Sequence, residues 1–327
     1  MRRRDLLLAA LLPAAVRPAG AQRSDRTPVI GMLSGLSFEP GSVGQGRLEG
    51  LRRGLEEYGY EVGRDLVLEP RWPGGRGDRL AAVARELVQL QPDVIVTHGE
   101  VNIRALRRET SEVPIVVAIT GDLVSVGHAR SLARPGGNVT GLVDISPELS
   151  AKRLQLITEL LPGAIRIGIL WNAANQVKVL DFEVTKDAAL SLGKEVVSLP
   201  IRGSHELEPA FATARQERIE ALLVLQDALM LRHAEAVLEL AAADRVPTVA
   251  WLEFAQFGGL LSYGVDAVEA FRQAASFVHR ILQGASPADL PIEQPTRLKL
   301  VVNLEAAEAL GIDIPPSILL RADELIE

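Results

Sequence analysis

The sequence predicts an α/β protein built from two doubly wound parallel-sheet lobes that face each other across a cleft. Three observations carry that reading. A phrase occurs twice: Ile30-Gly31-Met32-Leu33 returns as Ile167-Gly168-Ile169-Leu170, Tyr58-Gly59-Tyr60-Glu61-Val62 as Leu192-Gly193-Lys194-Glu195-Val196, and Val113-Pro114-Ile115-Val116 as Val246-Pro247-Thr248-Val249. The order is kept and each copy follows its original by about 135 residues, as in a duplicated structural unit. Short apolar runs alternate with amphipathic stretches through both halves, the pattern of strands and crossover helices in a parallel sheet covered on both faces. The apolar runs end in polar residues, as buried strands do where their C-terminal ends meet a ligand crevice.

In the first half a strand at Val29 to Leu33 leads through Gly35, Pro40 and Gly41 to an amphipathic helix near Gly44 to Tyr58. Strands follow near Leu66 to Glu69, Asp93 to Thr97, Pro114 to Ile119 and Val139 to Val143, with a helix at Arg79 to Leu90. The second half repeats the scheme with strands near Ile167 to Leu170, Glu195 to Leu199, Ala221 to Leu225 and Thr248 to Trp251. Its helices are expected around Gln176 to Leu192, Glu206 to Glu217 and Leu231 to Ala242. A strand at Leu260 to Tyr263 and a helix from Ala267 to Leu282 are left over. The reading returns both to the first sheet, with Pro287 to Pro295 carrying the chain back to the second. The expected division is 1–21 as a leader, 22–144 plus 258–286 as the first lobe, and 145–257 plus 287–327 as the second. Hinges are expected near Asp144 to Pro147, Phe257 to Gly259 and Gly284 to Pro291, and several parallel tethers allow opening and closing but not free tumbling.

The leader has the form of a signal peptide. Arg2, Arg3 and Arg4 precede the apolar stretch Leu6 to Leu12, and Ala19-Gly20-Ala21 supplies a small-x-small cleavage site before Gln22. Arg3-Arg4 leaves general secretory and twin-arginine export both open. The apolar stretch is far shorter than the roughly 20 residues that span a bilayer, so the expected location is periplasmic after cleavage. Cleavage removes four Arg and one Asp and takes the formal net charge from −7 to −10. An acidic balance of this size disfavours a nucleic-acid partner. Cysteine is absent, which excludes disulfides, thiolate metal sites and a cysteine nucleophile.

No cofactor, metal or catalytic site is expected. Gly41 to Gly46 is followed by Arg47-Leu48 where a phosphate-binding loop needs Lys and Ser or Thr. The five histidines lack zinc-ligand spacing, and Gly35-Leu36-Ser37-Phe38-Glu39 misses a nucleophile elbow at its last residue. The candidate ligand residues are the strand-end ones: Ser34, Thr97, His98, Gly99, Thr120, Gly121, Asp122, Trp171, Asn172, Gln226, Asp227, Trp251 and Tyr263. The Ser and Thr residues either cap helices or bind a ligand carboxylate beside free helix N–H groups. Asp122 and Asp227 are candidates for a ligand ammonium group, with capping as the alternative. Trp171 and Trp251 are candidates for stacking on a planar or apolar solute, and His98 for a ligand hydrogen bond or a cap.

The segment Ser131-Leu132-Ala133-Arg134-Pro135-Gly136-Gly137-Asn138-Val139-Thr140-Gly141 resembles the SLARPGGNVTG signature of a family of periplasmic substrate-binding proteins of ABC transporters. The similarity continues through Lys152-Arg153-Leu154, Gly259 to Gly264, Pro287 to Pro295 and Arg321-Ala322-Asp323-Glu324. The resemblance implies a type I periplasmic-binding-protein fold with three crossovers, a monomer that captures a small solute, and delivery to a membrane permease. Characterised relatives resemble binders of aromatic amino acids. A sensory module presenting its closed form to a signalling receptor is the competing implication. Within the signature, Arg134 to Gly137 is read as ending a helix and turning the chain into the next strand. Two departures fall on the expected cleft wall: Thr97-His98-Gly99-Glu100-Val101 replaces the small residues and Pro common there, and Leu123 stands where the family usually has Pro.

Overall fold

The computed structural model describes residues 26–327 except Gly75, Ile145 and Thr296. The expected leader and its cleavage site lie outside the described residues.

The first sheet is built from β1 (Val29–Leu33), β2 (Val67–Arg71), β3 (Val94–His98), β4 (Ile115–Ile119) and β5 (Val139–Gly141), all parallel in the order β2-β1-β3-β4-β5. Every residue of β3 and β4 is buried, which is why β4 and the first three residues of β3 form unbroken apolar runs that do not alternate. The crossovers are α1 (Val43–Glu57), α2 (Leu80–Gln89) and α3 (Glu100–Glu109). Ser42 caps α1 by accepting from Gln45 N.

The second lobe contains α4 (Ser146–Leu160), β6 (Arg166–Asn172), α5 (Gln176–Ser191), β7 (Glu195–Ile201), α6 (Leu207–Gln216), β8 (Ala221–Val224), α7 (Ala228–Arg232), α8 (Ala234–Ala243) and β9 (Thr248–Ala250). A 3-10 turn, Leu252–Phe257, leads to β10 (Leu261–Val265). The chain continues into α9 (Ala267–Leu282), then β11 (Leu298–Asn303), α10 (Leu304–Leu310), α11 (Pro316–Leu319) and β12 (Glu324–Ile326). The seven-stranded sheet has the order β12-β11-β10-β9-β8-β6-β7. Its run β7-β6-β8-β9-β10 repeats the first sheet's β2-β1-β3-β4-β5. The duplicated phrases fall on matching elements: β1 and β6, the turns into β2 and β7, and the entries to β4 and β9.

Three details differ from the sequence reading. The strand after Gly258-Gly259 belongs to the second sheet, where β10 pairs parallel with β9 and antiparallel with β11. That antiparallel pair makes the second sheet mixed. Only α9 returns to the first lobe. Its apolar face, including Phe271, Ala274, Phe277 and Val278, joins the first core, and it lies so close to α1 that a side chain at Gly50 or Gly54 would overlap the Val268 or Arg272 carbonyl.

The chain therefore crosses between lobes around 143–146, 265–267 and 293–298. Phe257 to Gly259 lies within the second lobe, and Gly284 to Pro291 within the first. Lys299 and Asp266, 2.8 Å apart, tie the second and third crossings together. No helix precedes Arg134, since Ala129 to Asn138 runs as bends and loop.

The family-like segments pack on each other. Thr140 Oγ1 donates to Leu290 O at 2.8 Å, Gly136 N to Ala288 O at 3.0 Å and Glu293 N to Gly141 O at 2.9 Å. Gly141 sits at φ +130°, and a Cβ there would overlap the Val117 carbonyl oxygen. Gly141→Ala is expected to cost about 3 kcal/mol in urea unfolding, through strain and overlap together. Gly137→Ala, in the same motif but facing open space, should stay within about 0.5 kcal/mol of the parent. Equal effects at the two positions would contradict this reading.

Candidate functional site between the lobes

The C-terminal ends of β3 and β4 face those of β6, β8 and β9 across a cavity of about 100 Å³. Its first-lobe wall includes His98, Gly99, Glu100, Thr120 and Gly121. The second lobe supplies Asn175, Lys178, Gln226, Asp227, Leu231 and Trp251.

Seven of the expected residues meet there: His98, Gly99, Thr120, Gly121, Gln226, Asp227 and Trp251. Six do not reach the cavity. Ser34 Oγ bonds His98 Nε2 at 3.0 Å and accepts from Leu36 N. Thr97 Oγ1 donates to Leu33 O at 2.9 Å, a bond that ties β3 to β1. Asp122 heads an exposed turn, accepting from Val124 N and Ser125 N. Trp171 packs into the second core, stacked on Phe182 with ring centroids 4.6 Å apart, and its Nε1 donates to Ser198. Asn172 acts through Asp227, to which its Nδ2 donates at 2.9 Å. Tyr263 joins both lobe cores, and its carbonyl accepts from Arg153 Nε at 2.7 Å.

Asp227 takes both roles that the sequence allowed. It lines the cavity and caps α7, accepting from Leu229 N, Asn172 Nδ2 and Asn175 Nδ2 at 2.8 to 2.9 Å. Asn175 in turn caps α5 by accepting from Val177 N.

The charged residues that hold the cleft together are the ones the strand-end rule missed. Arg47 projects from the buried face of α1 and pairs across the lobes with Glu253, both side chains about 5% exposed. Its Nη1 also donates to His98 Nδ1 at 3.1 Å. Arginine can only donate, so His98 carries its proton on Nε2 and donates to Ser34. Burial, with Arg47 second, pushes the His98 pKa well below the usual histidine value. Lys178 Nζ lies 2.9 Å from Asp181. Burial opposes its charge, but Asp181, Asp144 and Asp227 more than offset this and raise its pKa. Behind them Arg153 is 1% exposed, and its pKa is lowered by burial against the pull of Asp181, Asp144 and Glu253. A charged residue in phase with a helix's buried positions was the available signal: Arg47 lies among Gly44, Gly50 and Leu51, and Lys178 among Asp181 and Phe182.

Among the described residues no cluster of His, Asp and Glu is placed to hold a metal, and no helix is long and apolar enough to cross a membrane. The family described as ABC transporter substrate binding protein matches residues 43–326. The chain belongs to this family. Its two-lobed α/β architecture is that of the type I periplasmic binding proteins. A tyrosine-binding protein of Clostridioides difficile is 26% identical over 266 residues, covering 81% of this chain and 76% of the relative. A conserved domain protein from Vibrio cholerae has a TM-score of 0.85 at 28% identity, covering 92% of this chain and all of that one. An ABC domain from Streptococcus pneumoniae, solved in complex with L-Trp, has a TM-score of 0.84 at 25% identity and the same coverage.

Two outcomes are expected from the buried pair and its histidine. Arg47→Met strands Glu253 between the lobes and should cost about 3 to 5 kcal/mol or open the molecule, whereas Arg47→Met with Glu253→Leu should recover most of the loss. Unfolding and solution scattering of the four-member cycle measure this, and additive effects would exclude the coupling. Because the unfolded His98 titrates near 6.5 and the folded one lower, the unfolded chain binds more protons in between. Stability is fully present above pH 6.5 and falls as pH drops below it. His98→Gln should flatten that limb of the stability profile.

Proposed function

We propose that this protein is an exported, monomeric solute receptor that captures one small amino-acid-like solute in the interlobe cleft and delivers it to the membrane permease of an ABC importer. Its leader is removed after Ala21. The observation that carries this reading is a cavity walled by polar groups of both lobes, Thr120 and Gly121 on one side and Lys178, Gln226 and Trp251 on the other. A solute touching both walls stabilises the closed arrangement more than the open one, which is a population shift driven by differential contact.

In this reading Thr120, Gly121 and Lys178 hold the solute's carboxylate, and Trp251 and Leu231 pack an apolar or aromatic side chain. The tyrosine-binding relative and the L-Trp complex favour the aromatic end of that range. The cavity of about 100 Å³ is smaller than the roughly 150 Å³ that holds a benzene ring, so an aromatic solute requires the lobes to part for entry and to settle wider around it.

Calorimetry with the aromatic and branched amino acids tests the assignment. A binding solute at about 100 times its dissociation constant should stabilise the protein by about 2.7 kcal/mol and reduce the radius of gyration relative to an opened, ligand-free population. Trp251→Ala should weaken large apolar solutes by about 1.5 to 3 kcal/mol, while Trp171→Ala should lower stability with little change in selectivity. Binding confined to sugars, or Trp251→Ala without effect, would rule this site out.

A further inference from the structure

Buried polar atoms without a hydrogen bond gather around the cleft, on Arg47 Nε, Glu253 Oε2 and Glu100 Oε2, and of the three Glu100 alone has its countercharge at the surface. Glu100 is the first residue of α3, lines the cavity, and has a side chain only 11% exposed. Its Oε2 is buried without a hydrogen bond. Arg104, itself 39% exposed, approaches this oxygen at 3.2 Å as an ion pair from the solvent side of the helix. The other oxygen lies 3.6 Å from His128 Nε2. His128 accepts from Arg107 at Nδ1, so its proton is on Nε2, which is also buried and unbonded. An acceptor on a residue of the cleft wall and a donor beside it thus lack a hydrogen bond, and buried polar atoms of this kind normally have one.

Charge decides what that partner is. The acids in and behind the cavity are Glu100, Asp144, Asp181, Asp227 and Glu253; the buried bases are Arg47, Lys178 and Arg153. Arg47 is engaged by Glu253 and Lys178 by Asp181. Asp227 already accepts from three neutral donors. Glu100 has Arg104 as its countercharge, but that arginine is 39% exposed and reaches only one of its oxygens, so the carboxylate still places negative charge at the helix N-terminus where a solute carboxylate would otherwise be welcome. A carboxylate arriving there is opposed by the Glu100 charge, whereas an ammonium group can share that carboxylate with Arg104.

We propose that Glu100 sets the charge class of the cargo: resting on the amino-acid-like reading above, it contacts the solute's ammonium group and excludes aromatic acids that lack one. The solute then lies with its ammonium end toward α3 and its carboxylate toward Lys178 at the start of α5.

The test is calorimetry of the purified protein and its Glu100→Gln and Glu100→Ala variants with three matched probes: L-tryptophan, tryptamine and indole-3-propionate. L-Leucine, isoamylamine and 4-methylvalerate form a parallel aliphatic set. The parent should bind the amine-bearing members and bind the deaminated acid at least about tenfold more weakly. Glu100→Gln should weaken the amine-bearing members by about tenfold or more, and Glu100→Ala should let the deaminated acid gain on the amino acid. Unchanged melting temperatures of the free variants separate this from misfolding. The proposal is overturned if the parent binds the deaminated acid as tightly as the amino acid, or if the ratio is the same in Glu100→Gln. Amino-acid binding with an unchanged ratio defeats the role of Glu100 alone; no binding in either set defeats the amino-acid reading as well.

Discussion

The chain's three passages between the lobes are the constraint on which the rest of the molecule depends. One passage would leave the two sheets free to tumble, but three, with Asp266 and Lys299 bonded between adjacent ones, leave a hinge as the soft direction. The passages are possible because α9 can lie almost on the backbone of α1, an approach that Gly50 and Gly54 permit. Anchoring α9 in the first core fixes the end of β10 in the second lobe. The mouth of the cleft thereby acquires a defined geometry, which a loosely tethered pair of domains would lack.

Within that geometry, the charges in the cleft are arranged in compensating pairs. Arg47 with Glu253 crosses the lobes, and Lys178 with Asp181 stays within one. Buried pairs of this kind contribute little net stability against an apolar equivalent, because desolvation cancels most of the attraction. Their consequence is directional: Arg47 and Glu253 meet only with the lobes in this arrangement, so parting the lobes would leave each without its countercharge. Arg153 sits behind them, bonded to the Tyr263 carbonyl on the strand that leads into the second crossing. Closure, the hinge and the cavity wall are thus in electrostatic contact through a few side chains.

How much of this was legible in the sequence follows from what each signal encodes. The duplicated Ile-Gly-x-Leu phrase located β1 and β6 because a glycine within an apolar run is an unusual, position-specific pattern. The destination of β10 was not legible, since an apolar run states that a strand is buried but not in which sheet; long-range pairing with β11 decided it. Trp171 illustrates a different limit. The strand was read as ending at Leu170, which left Trp171 free to face the cleft, but β6 runs to Asn172 and places Trp171 on the same face as Ile167 and Ile169. Trp251, just beyond the end of β9, is also packed in a core, against Phe254 with ring centroids 4.5 Å apart, yet one edge of it lines the cavity. Arg47 and Lys178 escaped the strand-end rule because they project from the sides of helices.

The family-like motifs and the cleft answer to different pressures. Ser131 to Gly141 and Pro287 to Pro295 are occupied with each other: hydroxyl to carbonyl, amide to carbonyl, and a glycine where the Val117 backbone leaves no room for a Cβ. None of these residues reaches the cavity. A motif of this kind identifies the scaffold, because any relative that builds the same crossing must solve the same backbone problem. The proposed cargo contacts lie elsewhere, at the residues that open α3 and α5 and line the cavity. Glu100, held by an exposed arginine on one oxygen and near His128 on the other, makes no contact that the backbone fold requires, which suits it to the proposed role in choosing cargo.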